Sequence, residues 1–251
     1  MKRTFVPLLL WAAGTLAPVH AQPLIVSAAA SLKDALTAVN STFQAAQPGI
    51  KIAVNYGASG ALQHQIEHGA PADVFISAAA KPMDALAAQG LLLKGTRADL
   101  LTNTLVLIGP PGAKVPKDFP GLTAPEVRRI AVGEPKSVPA GQYAEEIFAH
   151  FGITGAVAPK LVFAKDVRAV LTYTETGNVD AGIVYLTDAR HSKSATILAS
   201  APDDAHQPVT YPAAIIASSK HPEAARAYLR FLCSEEAEAI FKSFGFGIPG
   251  C

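Results

Sequence analysis

Leu24-Ile25-Val26-Ser27-Ala28-Ala29-Ala30-Ser31-Leu32-Lys33-Asp34-Ala35-Leu36 holds one complete strand–turn–helix unit. Leu24-Ile25-Val26 is an apolar run of core-strand size. Small residues follow, and apolar residues then recur at helical spacing at Leu32, Ala35, Leu36, Val39 and Phe43. Ser31 with Asp34 three residues later reads as a helix N-cap. Pro48-Gly49 breaks the helix, and residues 50–56 alternate as the next strand.

Outward from this unit the pattern repeats. Further strands are expected at 73–77, 101–108, 130–132, 161–163, 181–185, 196–199 and 212–217. Helices are expected after Gly57-Ala58-Ser59-Gly60, at 83–89 with Pro82 in the first turn, at 140–151 and at 167–176. Residues 222–244 read as helical with a break near Cys233-Ser234. Alternating βα units predict an α/β protein with mostly parallel sheet. That many strands fit two smaller sheets better than one. The Pro/Gly-rich stretch 109–121 marks a boundary. An economical layout crosses between two lobes near 101–108, returns near 209–217 and packs the C-terminal helices on the first lobe.

Composition narrows the function. The 251 residues carry 21 basic and 20 acidic side chains, a net charge of +1, without the basic footprint of a nucleic-acid binder. Two cysteines exclude a disulfide miniprotein and a four-Cys zinc module. The N-terminus reads as an address: Lys2 and Arg3, then an apolar run over 5–16, then Val19-His20-Ala21. Residues 1–21 are expected to be a signal peptide removed after Ala21, and the exported chain is expected in a periplasm. No Cys follows the cut, so a lipid anchor is not expected.

Four junctions carry the chemistry. They are Ala28-Ala29-Ala30-Ser31, Gly57-Ala58-Ser59-Gly60, residues 133–142 through Pro139-Ala140-Gly141-Gln142, and Ala164-Lys165-Asp166-Val167. In open α/β sheets ligands sit at the carboxyl ends of strands, where helix N-termini point. Each terminus offers unpaired N–H groups and roughly +0.5 of an elementary charge, so four would give roughly +2 and balance a dianion without Lys or Arg. Ser31 and Ser59 add hydroxyl donors. Asp166 reads as a cap turned away from an anion, and Tyr185 by default as a packed aromatic.

The same residues resemble the periplasmic molybdate-binding proteins (ModA-like) of ABC importers. Ala28-Ala29-Ala30-Ser31-Leu32 and Gly57-Ala58-Ser59-Gly60 look like the family's first two ligand loops. Gly69-Ala70-Pro71-Ala72-Asp73-Val74-Phe75-Ile76-Ser77-Ala78 is similar to a signature strand. Ala131-Val132-Gly133-Glu134-Pro135 with Val138-Pro139-Ala140-Gly141-Gln142, Asp166-Val167-Arg168 and Gly182-Ile183-Val184-Tyr185 match the later loops. Tyr211-Pro212 precedes the return strand, and the match is collinear from about residue 24 to 246.

The resemblance implies a class II periplasmic binding fold: two α/β lobes with parallel-rich sheets, joined by two crossover strands, around a ligand cleft. Residues 22–103 with 213–251 form lobe 1 and 104–212 lobe 2. It implies no enzyme, but a monomer that binds molybdate, and tungstate with little discrimination. Carried over, the contacts are the hydroxyls and backbone N–H groups of Ser31 and Ser59, the backbone N–H groups of Ala140 and Val167, and the Tyr185 phenol. No protein ligand touches molybdenum itself, and no cofactor is expected. The closed form would dock on an inner-membrane permease driven by a cytoplasmic ATPase. Donors alone suit a fully deprotonated dianion, because a protonated anion would bring a hydrogen with nothing to accept it. Sulfate is smaller and would be rejected by cavity size.

Rival readings remain. The same fold could carry sulfate, thiosulfate or phosphate. Gly57-Ala58-Ser59-Gly60-Ala61 resembles a hydrolase nucleophile elbow but has Ala61 where Gly belongs. His64-Gln65-Ile66-Glu67-His68 spells the inverted zincin pattern, with a solvated helix face as the plain alternative. Cys233 and Cys251 either pair in an oxidising compartment or stay as a buried and a terminal thiol.

Overall fold

The computed structural model describes residues 23–113 and 118–250. Strand β1 (Leu24–Ala29) runs through a 3-10 turn at Ala30–Leu32 into α1 (Lys33–Ala46). Leu36, Val39 and Phe43 face the core from α1, at the helical spacing read above. Then come β2 (Ile52–Gly57), α2 (Ser59–Glu67), β3 (Val74–Ile76), α3 (Ala80–Ala88) and β4 (Ala98–Asn103). In α3, Pro82 lies in the first turn, where an N–H has no helical partner to lose.

The second lobe holds β5 (Leu105–Gly109), β6 (Ile130–Gly133), α4 (Pro139–His150), α5 (Thr154–Val157) and β7 (Leu161–Ala164). It continues with α6 (Val167–Glu175), β8 (Ala181–Tyr185), α7 (Leu186–Arg190) and β9 (Thr196–Ser200). The chain returns to the first sheet as β10 (Val209–Ile215) and ends in α8 (Pro222–Leu232) and α9 (Glu235–Ser243). These two helices pack on lobe 1: Phe43 of α1 meets Tyr228 and Phe231 of α8 at 5.2 Å between ring centroids. The Tyr228 hydroxyl also donates to Asn40 Oδ1 at 2.6 Å.

The first sheet has the order β2-β1-β3-β10-β4 and the second β7-β6-β8-β5-β9. Each is mixed. The βα units pair in parallel, β1 with β2 and β3, and β6 with β7 and β8. The strands that cross between lobes, β10 and β5, run antiparallel to both their neighbours. Alternation alone predicts the parallel pairs. The antiparallel ones come from the crossovers.

Two local readings need correction. Residues 101–108 form two strands, not one: β4 ends at Asn103, β5 starts at Leu105, and they belong to different sheets. The expected boundaries at 103/104 and 212/213 fall at this junction and inside β10. Ser31 is not an N-cap, because it lies within the 3-10 turn and α1 has no side-chain cap. The turn tightens the strand–helix junction and frees the Ser31 hydroxyl for other partners. The break near Cys233-Ser234 is present, with Ser234 capping α9 through the Ala237 N–H. Cys233 is disulfide-bonded, and Cys251 lies outside the described residues, as do residues 1–21.

Candidate functional site

The four junctions meet. Ala29–Ser31 and Gly57–Ser59 from lobe 1 face Val138–Ala140, Asp166, Val167 and Tyr185 from lobe 2 around one cavity, with Ala78 at its wall. Ser31, Ser59, Ala140, Val167 and Tyr185 all line it, and all five are buried. The cavity measures about 10 Å³. That is about the room one water takes and far below the roughly 300–1,000 Å³ of pockets for organic ligands.

Helix geometry makes the wall a set of donors. Ser59, Ala140 and Val167 stand in the first turns of α2, α4 and α6, where an N–H has no intrahelical carbonyl to reach. Neighbouring N–H groups are taken. Gly60 N–H donates to Ser137 O at 2.9 Å, Gly141 N–H to Val138 O at 2.9 Å, and Ala169 N–H to Asp166 Oδ1 at 2.9 Å. Asp166 is the charged residue among those lining the cavity, and its carboxylate is turned to cap α6. Neither Lys nor Arg lines the cavity.

The hydroxyls follow the same logic. The Ala78 N–H donates to Ser59 Oγ at 2.9 Å, which leaves the Ser59 hydrogen for another acceptor. The Tyr185 hydroxyl makes only a long 3.5 Å contact to Ala78 O, so its hydrogen is available to a better acceptor. Burial raises the Tyr185 phenol well above its ordinary range, and it stays protonated. Tyr185 is a packed aromatic, as the default reading has it, and it also lines the cavity.

Contacts also cross the cleft beside the cavity. Besides Gly60–Ser137, Arg168 of α6 pairs with Asp34 of α1 at 2.9 Å and with Asp188 of α7 at 3.1 Å. Asp188 is buried, and its Oδ2 has no hydrogen-bond partner among the described residues. Burial pushes its carboxyl up to about 7, against the pull of Arg168. Sequence reading missed Arg168 and Asp188 as parts of this assembly. Their partners are distant in the chain, and no local spacing signals them.

The two decoys resolve into ordinary packing. His64 Nδ1 pairs with Glu67 Oε2 at 2.9 Å, and His68 Nδ1 contacts the His64 carbonyl at 2.7 Å. Glu67 is further tied to Gln63 and Gln89. Among the described residues no group of three metal-ligating side chains comes together. The residues lining the cavity around Ser59 include no histidine, the usual partner of a serine nucleophile.

Comparison with known proteins places this geometry. The model of the family described as bacterial extracellular solute-binding protein matches residues 24–247. The chain is 42% identical over 224 residues to a Bacillus subtilis protein described as an ABC transporter substrate-binding lipoprotein, YvgL, covering 89% of this chain and 85% of that one. It is 37% identical over 231 residues to the molybdate-binding protein ModA of Escherichia coli, covering 90% and 89%. The periplasmic molybdate-binding protein of Azotobacter vinelandii superposes with a TM-score of 0.81 at 27% identity, covering 90% of this chain and 99% of that one. These relatives are binding proteins, not enzymes.

Proposed function

Since this chain belongs to the bacterial extracellular solute-binding protein family and within it to the ModA-like relatives, we propose that it is the molybdate-binding component of an ABC importer. It works in the periplasm as a monomer, after loss of an N-terminal signal peptide. Molybdate enters the interlobe cavity as a dianion, and tungstate, nearly the same size, enters equally well. The hydroxyls and N–H groups of Ser31 and Ser59, the N–H groups of Ala140 and Val167, and the Tyr185 phenol hold the four oxygens. The loaded, closed form then delivers the ion to a membrane permease driven by a cytoplasmic ATPase.

One observation carries this reading: a small interlobe cavity lined by helix N-termini and by the Ser59 and Tyr185 hydroxyls, whose hydrogens are left to donate, with neither Lys nor Arg in its wall. Helix termini and oriented hydroxyls stabilise a full double negative charge there without a counter-ion. Such a site penalises any anion that keeps a proton. Thermal melting with added oxyanions tests it. Molybdate at about 100 times its dissociation constant should stabilise the protein by about 2.7 kcal/mol, a rise of roughly 5–11 °C. Phosphate at the same concentration should leave the midpoint unchanged. A midpoint that molybdate does not move counts against the proposal.

A further inference from the structure

Ser31 Oγ lies 3.0 Å from the Tyr211 hydroxyl, a pair in which either oxygen can donate. The direction is decided one step further on, at the junction between β4 and β5. There the Thr104 N–H donates to Asn103 Oδ1 at 2.9 Å. A backbone N–H can only donate, so it selects the amide oxygen and turns the NH2 the other way. That NH2 donates to Thr187 Oγ1 at 2.9 Å and to the Tyr211 oxygen at 3.2 Å. Tyr211 is fully buried, and burial holds its phenol protonated. Its hydrogen therefore needs an acceptor, and Ser31 Oγ is the one in contact. Were Ser31 to donate instead, the phenol hydrogen would be buried with nothing to accept it, one of the costlier defects of a folded interior.

We infer that Asn103 and Tyr211 are positioning residues that fix Ser31 as an acceptor on its hinge side, so that its own hydrogen is presented to the bound anion. The inference rests on Ser31 being a ligand contact, as proposed above. It makes Ser31 the counterpart of Ser59, whose oxygen is filled by the Ala78 N–H. Both hydroxyls are then donors by construction, and the polarity of the cavity is set from outside it. Thr104 and Asn103 stand where the chain passes from one sheet to the other, so the orientation of Ser31 depends on the hinge being intact.

The test is a double-mutant cycle read by titration calorimetry with molybdate, with folding checked by melting midpoint. In Asn103→Asp the new carboxylate accepts from Tyr211, which in turn draws the Ser31 hydrogen out of the cavity. Affinity should fall by about 10-fold or more, while Tyr211→Phe, which only frees the Ser31 rotor, should lose a few-fold. The double variant should bind about as well as Tyr211→Phe, so that removing the phenol rescues the aspartate. Additive losses would mean through-space repulsion or structural damage and would overturn the inference, as would wild-type affinity in Asn103→Asp. If Asn103→Asp does not fold, Tyr211→Phe decides, and an unchanged affinity there overturns the inference. Ser31→Ala separates the two readings. If it loses affinity while Asn103→Asp and Tyr211→Phe do not, the function stands and the positioning role falls. If wild-type protein does not bind molybdate, both fall.

Discussion

Ser59 illustrates how much a single hydroxyl carries here. Its oxygen takes the Ala78 N–H, and its hydrogen is left for the ligand. Ser59→Ala removes a hydrogen bond to a charged group, worth about 1.5–3 kcal/mol, so affinity for molybdate should fall roughly 10- to 100-fold. Calorimetric titration of the variant checks this; wild-type affinity would remove Ser59 from the site. Asp188 sets a pH dependence. Its folded carboxyl is raised from 3.8 to about 7, chiefly by burial. Between those values the native state keeps a proton that the unfolded chain releases. The stabilisation is complete below the lower value and is lost as pH rises through the upper one. Denaturant midpoints should fall between about pH 5 and 7.5 in wild type and much less in Asp188→Asn. An equal fall in both would contradict the assignment. Residue roles were legible where the partner is local: Asp166 reads as a cap and is one, three residues from Ala169. The Ser31–Tyr211 contact spans 180 positions and leaves no trace in local spacing.

Helix termini, not side chains alone, bring the lobes together. A Cβ on Gly60, in the first turn of α2, would lie 2.7 Å from Ser137 O of the other lobe. A backbone oxygen cannot swing aside, so in Gly60→Ala the lobes must part. Molybdate affinity should drop about 10-fold or more, while the ion-free protein melts as wild type does. Gly141→Ala differs, because its Cβ would meet Gly133 O at 2.1 Å within one lobe. That overpacking should cost about 1–3 kcal/mol of stability. Comparing melting and affinity in the two variants checks the distinction, and a destabilised, tight-binding Gly60→Ala would refute it. Elements were legible where the hydrophobic period is long, as in α1 and α4. The passage from β4 to β5 was not, because Leu100, Leu101, Leu105 and Leu107 are all buried. The short polar stretch Thr102-Asn103-Thr104 between them carries neither Gly nor Pro, so nothing local marks the end of one strand and the start of the next.

At the scale of the molecule, two lobes built on mixed sheets meet around one small cavity, and the lobes are tied across it. Arg168 bridges Asp34 on one lobe and Asp188 on the other. The Asp34 side is about two-fifths exposed, so the pair is worth only about 0.2–1 kcal/mol. Asp34→Asn should weaken binding by a factor of roughly 1.5–5 without touching the ion. Titration checks it, and a loss as large as that of Ser59→Ala would mean that Asp34 does more than help closure. The two-lobe plan was legible from alternating βα units, a local signal repeated along the chain, whereas the Pro/Gly stretch 109–121 misled, because it joins β5 and β6 of one sheet and the chain changes lobe earlier, at Thr104. The interlobe ties were not legible, since each joins segments that meet only after folding. The most direct measurement is calorimetric titration of purified protein, dialysed free of carried-over ion, with molybdate, tungstate, sulfate and phosphate in turn at neutral pH. The account predicts one-to-one binding of molybdate and tungstate with no heat from sulfate or phosphate. Binding of sulfate or phosphate as tight as molybdate, or no heat from any oxyanion, would contradict it.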